Sequence, residues 1–330
     1  MKALVLTQPG IIEIIEKPVP EISSGQVLIE VKAAGLNKRD QFIREGKYPG
    51  IVLGTTLGSD VSGIVTSVAD EKNEHWLGKE VIVNPNIGWG SNAQVQSTEY
   101  SILGMPHDGT LAEYVAVNSD RLSEKPKHLS FEQAAALPLA GLTAFRACFH
   151  HGNISEHQNV LISGFGGGVA QFAFQFALSA RARVFTTSSS KEKLERSIDA
   201  GATGAFNYTE PTWYKDAIKK SGGFDVVIDS SGGDQMNTLI KLMRPAGKII
   251  FFGATNGLPS NLDLYRMFWN QITLQGSTMG NDQEFESMIR FVDEHQILPI
   301  VDSSRSFANV ISAFDDMAKN TKTGKLVVKL

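Results

Sequence analysis

The chain has 330 residues, 42% of them hydrophobic and 20% charged, with a formal net charge of −4 at pH 7. That is apolar material for a substantial core in about two domains, and the slightly acidic balance excludes the basic face that a nucleic acid demands. No uninterrupted apolar stretch spans a bilayer, the opening MKALVLTQPG lacks a secretory signal's apolar block, and a single cysteine, Cys148, excludes an internal disulfide or a multi-cysteine metal site; the expectation is a cytoplasmic protein.

The first ~120 residues read as strands. QVLIEVKAAGL (26–36), GIVTSVAD (63–70), KEVIVNP (79–85) and LAEYVAVN (111–118) are β-branched runs cut by glycine, proline or aspartate. The character changes at SFEQAAALPLAGLTAFRACF (130–149), where Ser130 and Gln133 are spaced as a capping box and apolar residues follow at helical intervals. Pro138 interrupts that helix, because it has no amide to donate and its ring clashes with the preceding turn.

From Asn159 strands alternate with helices. NVLISG, ARVFTT, GAFNY, DVVIDS, GKIIFFG and ITLQGS are the strands, with helices such as SKEKLERSIDAGA and QMNTLIKLMRPAG between several of them. Such alternation predicts a parallel six-stranded sheet covered on both faces. The tail supplies a helix at FANVISAFDDMAK and a strand, GKLVVKL, that rejoins the first sheet. The expected organisation is a β-rich domain at 1–124, an α/β domain at 125–278 and a return segment of the first domain at 279–330.

Between the first α/β strand and its helix lies GFGGG, four glycines in the five positions 164–168. Amides at such a turn point outward and the helix dipole favours an anion there, so a dinucleotide's pyrophosphate fits. Read on FGGGVA (165–170), Ala170 falls where the third glycine of G-x-G-x-x-G would, and the alternative is a purely structural turn. An NAD site has an acidic residue ~20 positions on. This chain has Ser188, Ser189 and Ser190 followed by Lys191 and Lys193, with no carboxylate before Glu192. Hydroxyl and ammonium groups suit a 2′-phosphate, which points to NADPH; the alternative is a capped, solvated helix start.

AAGLNKRDQFIREGKYP, LGSDVSG, AAALPLAGLTAF, GFGGGVAQFAFQFA and GKLVVKL together resemble the medium-chain dehydrogenase/reductase superfamily over nearly the full length. The likeness is greatest to its zinc-independent, quinone-oxidoreductase-like and enoyl-reductase-like branch. The resemblance implies a Rossmann cofactor domain, a discontinuous GroES-like catalytic domain and a homodimer paired through the edge strand ITLQGSTM. Zinc-dependent relatives have cysteine and histidine ligands where this chain has Asn37 and Ser59, the latter beside Asp60. Their cysteine-rich lobe falls on residues 84–109, which hold no cysteine. His107 with Asp108, and His150 with His151, are the remaining metal candidates, but neighbours on a helix point ~100° apart. No metal is expected.

Without a Lewis acid the remaining chemistry is hydride delivery to an acceptor that is already electron-poor, a quinone or a carbonyl-conjugated alkene. By resemblance Asn37 lies at the nicotinamide and acceptor, and Tyr48 donates a proton or hydrogen bond; a turn cap and a packing residue are the respective alternatives. Gly166, Gly167, Gly168 and Val169 face the pyrophosphate. Ser188, Lys193 and Tyr208 surround the 2′-phosphate. Thr143, Phe252 and Gly253 approach the nicotinamide half, Ser231 the adenosine side, and Gly324 and Lys325 close over the cofactor. Phe42 and Trp89 are candidate pocket aromatics. Two other readings stand beside this one: a zinc-dependent alcohol dehydrogenase with atypical ligands, and a non-catalytic NADPH-binding regulatory module.

Overall fold

The β-branched runs of the first part are strands, as their alternation demands. The computed structural model describes residues 1–319 and 322–330. β1 (Lys2–Gln8) and β2 (Ile11–Glu16) form an antiparallel hairpin. β3 (Gln26–Gly35) buries every second residue, Val27, Ile29, Val31 and Ala33, the period expected of a strand with one face on a core. After it come α1 (Lys38–Arg44), β4 (Asp60–Val68), β5 (Glu80–Val83), the short pair β6 (Asn86–Ile87) and β7 (Ser101–Ile102), β8 (Tyr114–Asn118) and β9 (Leu122–Glu124). α2 (Phe131–Ala136) opens with the capping box in place: Ser130 N–H donates to Gln133 Oε1 at 3.0 Å and Gln133 N–H to Ser130 Oγ at 3.2 Å. It stops just short of Pro138, which begins α3 (Pro138–Phe145).

In the second part β10 (Asn159–Ile162), β11 (Arg183–Ser188), β12 (Gly204–Asn207), β13 (Phe224–Asp229), β14 (Met243–Phe251) and β15 (Thr273–Gly276) form one sheet. Their order is β12-β11-β10-β13-β14-β15, and every pair is parallel. This is the doubly wound order of a dinucleotide-binding sheet. The helices α4 (Gly168–Ser179), α5 (Lys191–Asp199), α6 (Trp213–Ser221), α7 (Gln235–Leu242) and α8 (Leu264–Trp269) alternate with the strands. α9 (Asp282–Glu294), β16 (Val301–Ser306), α10 (Val310–Ala318) and β17 (Lys325–Lys329) complete the chain. β17 pairs antiparallel with β3, so the tail rejoins the first sheet.

The chain divides into two compact units, Met1–Leu142 with Gly280–Leu330, and Thr143–Met279. Residues 125–142, which the sequence groups with the α/β part, lie with the first unit. Composition explains it: Ala135 and Ala136 of α2 have no bulk and sit in one buried cluster with Ala33 of β3 and Val327 of β17. The return segment is tied in by Asp282, whose carboxylate takes hydrogen bonds from Arg121 at 2.6 and 2.8 Å and from Asn84 at 2.9 Å. Among the described residues no helix is long and apolar enough to cross a membrane.

Candidate active site

In the first unit β3 ends at Gly35, and two residues later Asn37 starts α1. The Asn37 backbone N–H donates to Asp40 Oδ2 at 2.7 Å, closing the helix's first turn. The Asn37 side chain turns inward. Its Nδ2 donates to Ser59 Oγ at 3.2 Å and to Asp60 Oδ2 at 2.9 Å, and its Oδ1 accepts from the Lys325 ammonium. Lys325 Nζ also donates to Asp60 Oδ2 at 2.9 Å, while Asp60 Oδ1 accepts from the Leu139 N–H at 2.8 Å. Asn37, Asp60 and Lys325 are 6%, 0% and 4% exposed, so water does not compete for these bonds. The partners fix the amide: reversed, its oxygen faces a carboxylate and its NH₂ an ammonium. Both amide hydrogens are therefore engaged within the protein, and Asn37 presents a ligand only with the remaining lone pair of Oδ1.

By the resemblance, Asn37 and Ser59 stand where zinc-dependent relatives have ligands, and the residues gathered here do not fit a metal. Zinc takes thiolate, imidazole or carboxylate donors and usually three of them. Here only Asp60 qualifies, and the Lys325 ammonium already lies against it and against Asn37 Oδ1. A divalent ion added to that cluster meets a like charge with the oxygen donors engaged. Asp108 is bound to Lys17 Nζ at 2.7 Å and to the Thr56 N–H. His150 and His151 place their ring centroids 4.7 Å apart, and no group of three or more His, Cys, Asp or Glu among the described residues is set to hold a metal. Cys148 is buried, and burial pushes its thiol far up.

The loop after α1 carries Tyr48. Arg39 Nε donates to its hydroxyl oxygen at 3.3 Å, and the guanidinium carbon lies 4.8 Å from the ring centroid. Arg39 Nη1 donates to Leu103 O at 2.9 Å. Tyr100 belongs to the same neighbourhood; its hydroxyl is buried without a partner, burial raises its pKa, and its ring meets Trp89 edge-on at 5.4 Å. Trp89 itself is buried, with its indole N–H on Asn92 O at 3.0 Å. Phe42 is half-buried, with Lys38 Nζ 5.9 Å from its ring centroid.

Burial raises the Asp40 carboxyl from 3.8 to about 6 against the lowering pull of Arg39. Because the folded state then holds the proton more tightly, this group's contribution to stability is present below pH 3.8 and lost as pH rises through about 6. The shift corresponds to about 3 kcal/mol at most. Asp40→Asn keeps an oxygen for the Asn37 N–H and removes the titration. The stability of the variant relative to wild type is expected to rise between pH 4 and 7, read from denaturant midpoints; a constant difference contradicts it.

In the second unit the glycine turn leads from β10 into α4. Phe165 N–H donates to Thr187 O at 2.7 Å and Gly164 N–H to Thr187 Oγ1 at 3.1 Å, pinning the turn to the end of β11. Gly166 has φ +145°, where a side chain is strained, and a Cβ there lies 2.9 Å from Lys193 Nζ, so the ammonium sits directly over it. Gly167 is the N-cap of α4 and offers no side chain, which leaves the amides of Gly168 and Val169 uncapped at the positive end of a twelve-residue helix. This cradle fits a dinucleotide pyrophosphate.

At the end of β11 Ser188 Oγ accepts from Ser190 N–H at 3.2 Å, and Ser190 Oγ caps α5 through Lys193 N–H at 3.3 Å. The nearest acid, Glu192, is exposed and pairs with Arg196 at 2.9 Å. Tyr208 follows β12 and is 39% exposed. Ser231 N–H donates to Asp229 Oδ2 at 3.0 Å; Asp229 also holds Gly232 N–H at 2.8 Å and Ser163 Oγ, tying the ends of β10 and β13 together. Phe252 N–H bonds Asp229 O at 3.0 Å, and Gly253 lies against Ser230 O. Thr143 is buried, with its hydroxyl 3.6 Å from Met279 Sδ.

The second unit thus gathers Gly166–Val169, Ser188 and Lys193 about one turn, and a separate Asp229-centred knot holds Ser231, Phe252 and Gly253. Lys325 and Gly324 lie in the first unit. Lys325 is held in the Asn37 cluster, and Gly324, at φ +98°, packs so closely that a Cβ there comes within 2.2 Å of Ile300 O. Sequence reasoning gave no role to Arg39, Asp229 or Tyr100. Of these only Asp229 left a signal, a carboxylate at the end of the apolar run VVI, which requires a partner.

Residues 23–127 match the family model described as alcohol dehydrogenase GroES-like domain, and residues 168–294 the one described as zinc-binding dehydrogenase. The zinc-type alcohol dehydrogenase-like protein C1773.06c of Schizosaccharomyces pombe is 33% identical over 96% of this chain and 94% of its own length. The quinone oxidoreductase of Mus musculus is 28% identical over 95% and 91%. A crystal structure described as NAD-dependent alcohol dehydrogenase superposes with a TM-score of 0.93 at 32% identity, covering all of both chains. Sequence and fold agree over the whole length: a GroES-like domain and a Rossmann domain in one chain, which belongs to the medium-chain dehydrogenase/reductase superfamily of oxidoreductases.

Proposed function

We propose that this oxidoreductase passes hydride from NADPH to quinones or to alkenes conjugated with a carbonyl, with no metal at the reacting centre. The observation that carries this is the Lys325–Asp60–Asn37 clamp, in which a protein ammonium engages the Asn37 and Asp60 oxygens, beside the Asn37 and Ser59 positions that by resemblance hold ligands in zinc-dependent relatives. An acceptor handled by such a site has to be electron-poor on its own account. Quinones, enals, enones and enoyl thioesters meet that condition.

Bound NADPH supplies the hydride. The amides of Gly166, Gly168 and Val169 hold its pyrophosphate against the bare Gly167 backbone, and Ser188, Lys193 and Tyr208 hold its 2′-phosphate. Ser231 flanks the adenosine, while Thr143, Phe252 and Gly253 flank the nicotinamide half. Asn37 accepts one hydrogen bond at Oδ1. Tyr48 gives its hydroxyl hydrogen to the acceptor oxygen as negative charge builds there. The test is NADPH oxidation across quinones, enals, enones and enoyl thioesters, with simple alcohols plus NADP⁺ as the contrast. Turnover with the first group is expected. Tight NADPH binding with no oxidation by any acceptor overturns it in favour of a regulatory module.

We propose too that a second copy covers the open side of β15. The helix just before that strand carries Leu264, Tyr265, Phe268 and Trp269 at 64, 82, 65 and 79% exposure. Apolar area of that extent next to a bare strand edge favours a two-fold partner of the same chain. Sedimentation is expected to give twice the 35.9 kDa chain mass, and Trp269→Glu a monomer. A monomeric wild type at micromolar concentration contradicts this.

A further inference from the structure

We propose that Arg39 is the positioning residue for proton delivery by Tyr48: its guanidinium fixes the phenol as a donor and balances the charge left on it. The inference rests on the reading of Tyr48 given above. A guanidinium has only hydrogens to offer, so in the 3.3 Å contact Arg39 Nε is the donor and the Tyr48 oxygen the acceptor. The Tyr48 hydrogen must then point elsewhere, and among the described residues it is donated to no protein group. Arg39 is itself held from two sides. It is buried, its Nη1 is on Leu103 O at 2.9 Å, and its guanidinium carbon lies over the ring it serves, 4.8 Å from the centroid. Asp40 Oδ1 stands 3.7 Å from Nη1, and Tyr100 is the other titratable group in the cluster.

Hydride from NADPH adds to the carbon β to the acceptor carbonyl and brings two electrons, leaving NADP⁺ and an enolate. The Tyr48 O–H bond breaks and its proton forms an O–H bond on the enolate oxygen. The tyrosinate that remains pairs with the Arg39 guanidinium until a solvent proton restores it, and the enol reverts to the saturated carbonyl. With a quinone the same proton goes to a quinol oxygen.

The test is a double-mutant cycle on kcat and KM, with NADPH and an acceptor that wild type reduces. Tyr48→Phe and Arg39→Met are each expected to lower kcat about 100-fold, with acceptor KM changed far less. The double variant should be within about 3-fold of the worse single one, because both remove one device. Arg39→Lys, which keeps a buried cation, should recover about 10-fold over Arg39→Met and serves for the cycle where the methionine variant does not fold. Losses that multiply, so that the Arg39 change costs as much in the Tyr48→Phe background as in wild type, overturn the inference and leave the proposed function standing. Wild type that oxidises NADPH with no acceptor overturns both.

Discussion

Replacing Lys325 by methionine is expected to cost about 3–5 kcal/mol of folding stability, the usual price of leaving a buried charge unpaired. The pair is out of water, at 4% and 0% exposure, and Nζ lies 2.9 Å from Asp60 Oδ2. Methionine matches the length of the stem but leaves the carboxylate with only the Leu139 and Asn37 N–H groups. It also releases Asn37 Oδ1, so the amide loses the constraint that fixes its orientation. The double variant Lys325→Met/Asp60→Asn removes the charge as well as its partner and should regain a large part of the loss, because the damage lies in the orphaned charge more than in the missing bond. Denaturant midpoints of the three proteins settle it. A Lys325→Met protein as stable as wild type contradicts the clamp.

Lys193→Ala is expected to weaken NADPH binding about 10–100-fold, the loss of one hydrogen bond to a charged phosphate, and to leave NADH within about 3-fold. The geometry behind this is local to the second unit. The ammonium lies over Gly166, the hydroxyls of Ser188 and Ser190 end β11, and Glu192 is drawn outward by Arg196. Gly166→Ala provides the contrast. At φ +145° a side chain is strained and meets Lys193, so both dinucleotides should weaken together. Titration by fluorescence reads all four affinities. Equal losses of NADPH and NADH in Lys193→Ala contradict the 2′-phosphate role.

The parts of this protein that local pattern encodes were legible. Alternating apolar residues marked β3, glycines marked the turn before α4, and Ser130, Gln133 and Pro138 marked where α2 begins and stops. What local pattern cannot carry is pairing between distant positions. Lys325 and Asp60 are 265 residues apart, and nothing in GKLVVKL says which carboxylate its lysine meets. Arg39 looked like one more charge on a short helix; only the chain's return past Ile102 and Leu103 makes it buried. The extent of the first unit was misplaced in the same way, because the small residues of α2 announce a helix but not the sheet on which it packs.

On the proposed reading, hydride reaches an electron-poor acceptor without a bound cation. The most direct measurement of this is NADPH oxidation with a responsive quinone or enone before and after exhaustive chelation, together with elemental analysis of the purified protein. Unchanged turnover at substoichiometric zinc is the predicted result. Activity that disappears on chelation and returns only with added Zn²⁺ would contradict it.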